Sequence, residues 1–142
     1  MINSQYTGLK VKYPIALIEE NNGQEYKALV PDLPGCKTQS LTIDLAIEQI
    51  SKTIKEHLTI LTEYAEAIPN ATSISQHQKS YPNAIWAIVD IDITPYLGKS
   101  HKINVTLPEL LIKQIDDRVS KSELYKTRSA FIAQACLIEL AK

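Results

Sequence analysis

Lys102-Ile-Asn-Val-Thr-Leu-Pro-Glu-Leu-Leu-Ile112, followed by Thr127-Arg-Ser-Ala-Phe-Ile132, changes period within a few residues. From His101 to Leu107 the pattern alternates. Ile103, Val105 and Leu107 point one way, and Lys102, Asn104 and Thr106 the other, which predicts a strand. Pro108 suits the first position of a helix, and Glu109 follows in its first turn. Leu111, Ile115 and Val119 then recur at helical spacing. Ser120 to Lys126 is polar and breaks the stripe. Thr127 is a good N-cap for a second helix through Ala141, with Phe131, Ala135 and Ile138 on one face.

One strand and two helices over residues 101–142 are too small to bury a core alone. The apolar strand face and both stripes call for a second copy: a homodimer with two strands paired antiparallel and four helices interlocked beneath. Such a ribbon exposes Lys102, Asn104 and Thr106 from each chain. A two-stranded ribbon fits the major groove, where Lys and Asn read guanine and adenine edges. Thr127, Arg128 and Ser129 would set a helix N-terminus against a phosphate. A plainer reading stays open, in which the module only dimerises and these are ordinary surface residues.

Working toward the N-terminus, Thr94-Pro95-Tyr96-Leu97-Gly98-Lys99-Ser100 gathers Pro, Gly and Ser where the apolar pattern stops. Domains at 1–95 and 101–142 follow, with residues 96–100 as linker. In the first domain a strand is expected from Lys10 to Ile18, with Val11, Tyr13, Ile15 and Leu17 on one face. Asn21-Asn22-Gly23 signals a hairpin. A second strand spans Gln24 to Val30, and Pro31 ends it. After the turn Asp32-Leu33-Pro34-Gly35, Cys36 to Gln39 is a short third strand. Ile43, Ile47, Ile50, Ile54, Leu58 and Leu61 predict a long helix to about Ala65, capped by Thr42 and closed by Pro69. Asn70 to Asn83 is polar, a loop or short extra element. Ile85, Ala87, Val89, Ile91 and Ile93 form a last strand. The fold class is α+β: a β-β-β-α-β antiparallel sheet with one long helix, then a dimerising tail.

Composition is that of an ordinary globular chain: 142 residues, 44% apolar and 22% charged, which argues against disorder and coiled coil. No run reaches the roughly 18 apolar residues of a membrane span, and no secretory signal is visible at the N-terminus. Cys36 and Cys136 have neither metal nor disulfide spacing, which suits a reducing cytoplasm. Net charge is −4 over residues 1–95 and +3 over 96–142, an acidic body on a basic tail.

The tail, through the residues quoted above, resembles the ribbon-helix-helix family of repressors. That family usually carries a glycine two residues before the Thr/Ser cap. Tyr125 stands there, and a left-handed tyrosine is strained, so the inter-helix turn is expected to differ. The segment Val30-Pro-Asp-Leu-Pro-Gly-Cys-Lys-Thr38, with Thr42-Ile-Asp-Leu-Ala46 opening a helix, resembles the HicB antitoxins and their partial RNase H-like domain. Ser40-Leu41 replace that family's usual Gly-Asp. The resemblance implies an antitoxin of a type II toxin-antitoxin system. Its N-terminal domain would neutralise a HicA-type, mRNA-cleaving toxin, and its tail would repress its own operon at operator DNA. An acidic body suits a basic, RNA-binding partner.

An enzyme is not expected. RNase H chemistry needs several carboxylates converging on two Mg²⁺ ions. Here Glu19 and Glu20 sit at a strand end, Asp32 in a turn, and Asp90 and Asp92 on an outward face. His57, His77 and His101 are scattered, so no metal site or cofactor is expected. Trp86 points away from the Ile/Val face, under a helix or toward a partner. A tetramer follows if the first domains also pair. The alternative function is a ligand-responsive repressor whose first domain senses a small molecule; a degenerate nuclease is a third.

Overall fold

The structure, a computed structural model, describes residues 9–142. Its element order is β1 (Lys10–Glu20), β2 (Glu25–Leu29), β3 (Lys37–Ser40), α1 (Ile43–Glu63), β4 (Ile85–Asp92), α2 (Glu109–Lys121) and α3 (Arg128–Leu140), with short 3-10 turns at Ile74–Gln76 and Thr94–Tyr96. The four strands form one sheet in the order β3-β2-β1-β4. The pairs β1–β2 and β2–β3 are antiparallel. The Ile93 N–H donates to the Leu9 carbonyl at 2.9 Å, joining the end of β4 to the start of β1, so this edge is antiparallel too.

The hairpin forms where Asn21-Asn22-Gly23 places it. All three residues have positive φ, at 53°, 56° and 84°, and the Gln24 N–H donates to the Asn21 carbonyl. Asparagine and glycine are the residues that tolerate that region. In β1 the expected one-sided alternation is corrected. Tyr13, Pro14, Ile15, Ala16 and Leu17 are all buried, so both faces of this inner strand are covered. The β1–β2 ladder runs from Ala16↔Leu29 to Glu20↔Glu25. Pro14 stands outside it, where its missing N–H breaks no bond of that ladder.

α1 starts at the expected cap: the Thr42 hydroxyl accepts from the Leu45 N–H at 3.1 Å, with Asp44 in the first turn. It ends at Glu63, before Pro69. The stop is Ala65, left-handed at φ 53°, with the Ala65 N–H donating to Thr62 and the Glu66 N–H to Leu61. That closure usually employs glycine. α1 buries Ala46, Ile50, Ile54 and Leu58 and packs on β2 and β3. The Ser40 hydroxyl bonds Gln49 of α1.

The polar segment after α1 is held, not loose. Asp32 accepts from the Thr72 N–H at 2.9 Å and from its hydroxyl, which also meets His77 Nε2. The His77 ring stacks on Trp86 at 6.4 Å, and Tyr81 meets Trp86 edge-on. Trp86 therefore packs against this segment instead of a helix. The Tyr13 hydroxyl donates to the Pro69 carbonyl at 2.7 Å.

The chain divides into two compact units, Val11–Ile91 and Asp92–Lys142, the latter grouped with Met1–Lys10. In the second unit α2 and α3 pack on each other. Pro108 is the N-cap of α2 instead of its first residue, and the helix begins at Glu109. Residues 101–107 form no strand within the chain. An isolated strand has no ladder, and among the described residues no other strand pairs with it. Tyr125 is not left-handed. The Ser122 hydroxyl accepts from the Leu124 and Tyr125 N–H groups, and Tyr125 meets Phe131 edge-on at 5.3 Å. Those contacts make the turn without a glycine.

Candidate functional site

In the single chain Lys102, Asn104 and Thr106 are exposed, and so are the apolar residues between them. Ile103 is 80% exposed and Val105 66%. Alternation of this kind with both faces bare describes a surface that is incomplete until something apolar covers one side. A groove of about 540 Å³ runs beside it, lined by Lys102, Asn104, Arg128 and Ser129 and floored by Ile103, Val105, Ile112 and Ile132. It brings four of the six expected DNA-contacting residues together. Thr106 and Thr127 do not line it.

Each member of the Thr127-Arg128-Ser129 set has a definite role in the chain. The Thr127 hydroxyl accepts from the Ala130 N–H at 3.0 Å and so caps α3. Ser129 is half-buried in the first turn. Arg128, expected against a phosphate, already holds an anion. Its Nε and Nη2 donate to the two carboxylate oxygens of Asp116 on α2, at 3.0 and 2.8 Å. Hydrogen bonding to Arg128 holds the Asp116 carboxyl below its usual range, and the same contact raises Arg128. Nothing in the local sequence announced this pair, because the two residues sit on different helices.

On the first unit, Glu20 and Glu25 face each other at the base of the hairpin turn, where both accept from Gln39 Nε2. Asp90 and Asp92 are exposed on β4, and Asp92 accepts from the Thr94 N–H. Asp32 is committed to Thr72 and His77. Among the described residues no group of three or more His, Cys, Asp and Glu side chains is arranged to hold a metal ion. No helix among them is long and apolar enough to cross a membrane.

A family model described as the HicB_like antitoxin of bacterial toxin-antitoxin systems matches residues 13–136. The chain belongs to the HicB-like antitoxin family. Haemophilus phage HP1 encodes a 14.9 kDa protein, uncharacterised, that is 36% identical over 124 residues, covering 86% of this chain and 92% of its own. The crystal structure of the Burkholderia pseudomallei antitoxin HicB superposes with a TM-score of 0.72 at 32% identity, covering 92% of this chain and 98% of that one. The antitoxin HicB3 shares the fold, with a TM-score of 0.74 at 23% identity over 89% of this chain and 96% of its own. A HicB-like antitoxin is a regulatory partner in a toxin-antitoxin system, and this family assignment points away from catalysis.

Proposed function

We propose that this HicB-like antitoxin neutralises a HicA-type, mRNA-cleaving toxin through residues 1–95 and represses its own operon through residues 101–142. The tail would act as a ribbon-helix-helix homodimer on operator DNA in the cytoplasm. One observation carries the division of labour. The first unit buries its own core, whereas the tail leaves Ile103 and Val105 bare beside Lys102 and Asn104. Pairing 101–107 with a second copy would cover the apolar side and turn Lys102, Asn104 and Thr106 toward a groove. Thr127, Arg128 and Ser129 would then meet the flanking backbone. The acidic first unit suits a basic toxin. Pairing of the first units as well would give a tetramer.

The test co-expresses the protein with the small reading frame beside its gene. Toxicity of that frame alone, rescue by the full chain and a purified complex are expected. Truncation after Pro95 should keep rescue and lose operator binding. Loss of both functions together, or of neither, overturns the division. Asn104→Ala should cost about 1–3 kcal/mol at the cognate site while leaving random DNA unaffected. Unchanged cognate affinity would remove Asn104 from the groove.

A further inference from the structure

Arg128 begins α3, and Asp116 reaches it from the facing side of α2. The ion pairs Glu109–Lys113 and Asp117–Lys121 stay within α2, whereas Asp116–Arg128 bridges two helices. Its geometry is a fork: two N–H donors of one guanidinium edge on two oxygens. A DNA phosphate presents the same pair of acceptors to the same edge. Both side chains are about half exposed, at 54% and 49%, so water and competing anions reach the pair.

We propose that Asp116 is an internal stand-in for a DNA phosphate, masking Arg128 until a duplex displaces it. The proposal rests on the DNA-binding reading above and deepens it. Every duplex offers phosphates, so a mask on Arg128 lowers the sequence-independent part of binding. Base reading by Asn104 is untouched, and the cost falls on cognate and random duplexes alike, so the mask lowers affinity and leaves their ratio unchanged. Asp116 thereby sets how strongly the protein holds any duplex without itself contacting one.

The experiment measures the full chain against a random-sequence duplex of about 30 base pairs between about 50 and 200 mM salt. Asp116→Asn and Asp116→Ala should bind several-fold tighter at low salt. The gain should vanish when Arg128→Gln is added. Asp117→Asn, which removes the same charge one residue away, should give a smaller gain that survives Arg128→Gln. Four results overturn the mask: unchanged binding by both Asp116 variants, a gain no larger than that of Asp117→Asn, a gain that persists without Arg128, or weaker binding. Weaker binding would make Asp116 an orienting partner of Arg128. If neither the wild type nor any variant binds any duplex, the DNA reading itself falls and the mask with it. Failure of the mask alone leaves wild-type binding intact.

Discussion

α1 and α2 are both amphipathic helices opened by good local signals, yet they end up in opposite situations. α1 closes four side chains, Ala46, Ile50, Ile54 and Leu58, into a core made by its own unit. α2 buries one, Ile115, and α3 one, Ala130, while Leu110, Leu111, Ile138 and Leu140 remain exposed. The difference lies in what each stripe meets. Beside α1 the chain supplies a sheet. Beside α2 and α3 the described residues supply segments 94–100 and 101–107, neither of them a strand with a ladder. An apolar stripe predicts that a partner exists, and only topology says whether the partner is the same molecule.

The largest expected effect breaks the self-sufficient side. Ile54→Ala should destabilise the first unit by about 2–5 kcal/mol, read by chemical denaturation, because a fully buried branched side chain leaves a cavity between α1 and the sheet. A loss below about 1 kcal/mol would mean that the α1 core is loose. Ile103→Asp attacks the other side. It should leave the melting of the first unit unchanged and weaken self-association about a hundredfold, roughly 2.7 kcal/mol, by sedimentation. A variant that dimerises as tightly as the wild type would show that 101–107 is not the seam.

Two threonines sharpen the comparison with one chemistry. Thr42 caps α1 and Thr127 caps α3, each accepting a backbone N–H. Thr42→Ala and Thr127→Ala should each cost about 1 kcal/mol. The loss from Thr42→Ala should be independent of protein concentration. If the tail assembles as proposed, its melting point should fall on dilution in wild type and Thr127→Ala alike, whereas that of the first unit should not.

The smallest effect is a drift with pH. Burial lifts the Cys36 thiol from 9.0 to about 11, and it lifts the Tyr13 hydroxyl further, with the Asp32 charge adding to it. Both folded-state values lie above the unfolded ones. The Cys36 contribution is therefore complete below about pH 9 and is lost as pH rises from 9 to about 11, while that of Tyr13 starts to fall only above its unfolded value of 10.0. Cys36→Ala should flatten that part of the first unit's stability profile. An unchanged slope would place Cys36 outside the core.

Much of this was legible in the chain. Asn21-Asn22-Gly23 announced a hairpin because few residues accept its φ values. Thr42 announced α1, and Ile85 to Ile93 announced β4. Other features depend on partners distant in sequence. That Pro14 and Ala16 are buried as well as Tyr13, Ile15 and Leu17 means that both faces of β1 are covered, which no local window contains. The helix end near Ala65 is legible where the apolar stripe stops, but the device that makes it, a left-handed Ala65 well before Pro69, is not. Tyr125 looked strained only on the assumption that the turn copies a glycine conformation; Ser122 builds a different one. Arg128 was read by its position at a helix start, and the carboxylate that holds it comes from another helix.

Asp32 stands within the turn by which the first domain is recognised, yet its bonds go to Thr72 and His77, outside that turn. This makes residues 70–83 a dependent part. Transplanted into a relative with a different residue at position 32, the segment would lose its anchor however well its ends matched. A chimera should exchange Asp32, Thr72, His77 and Trp86 together, since their contacts join them into one set even though the chain writes them far apart.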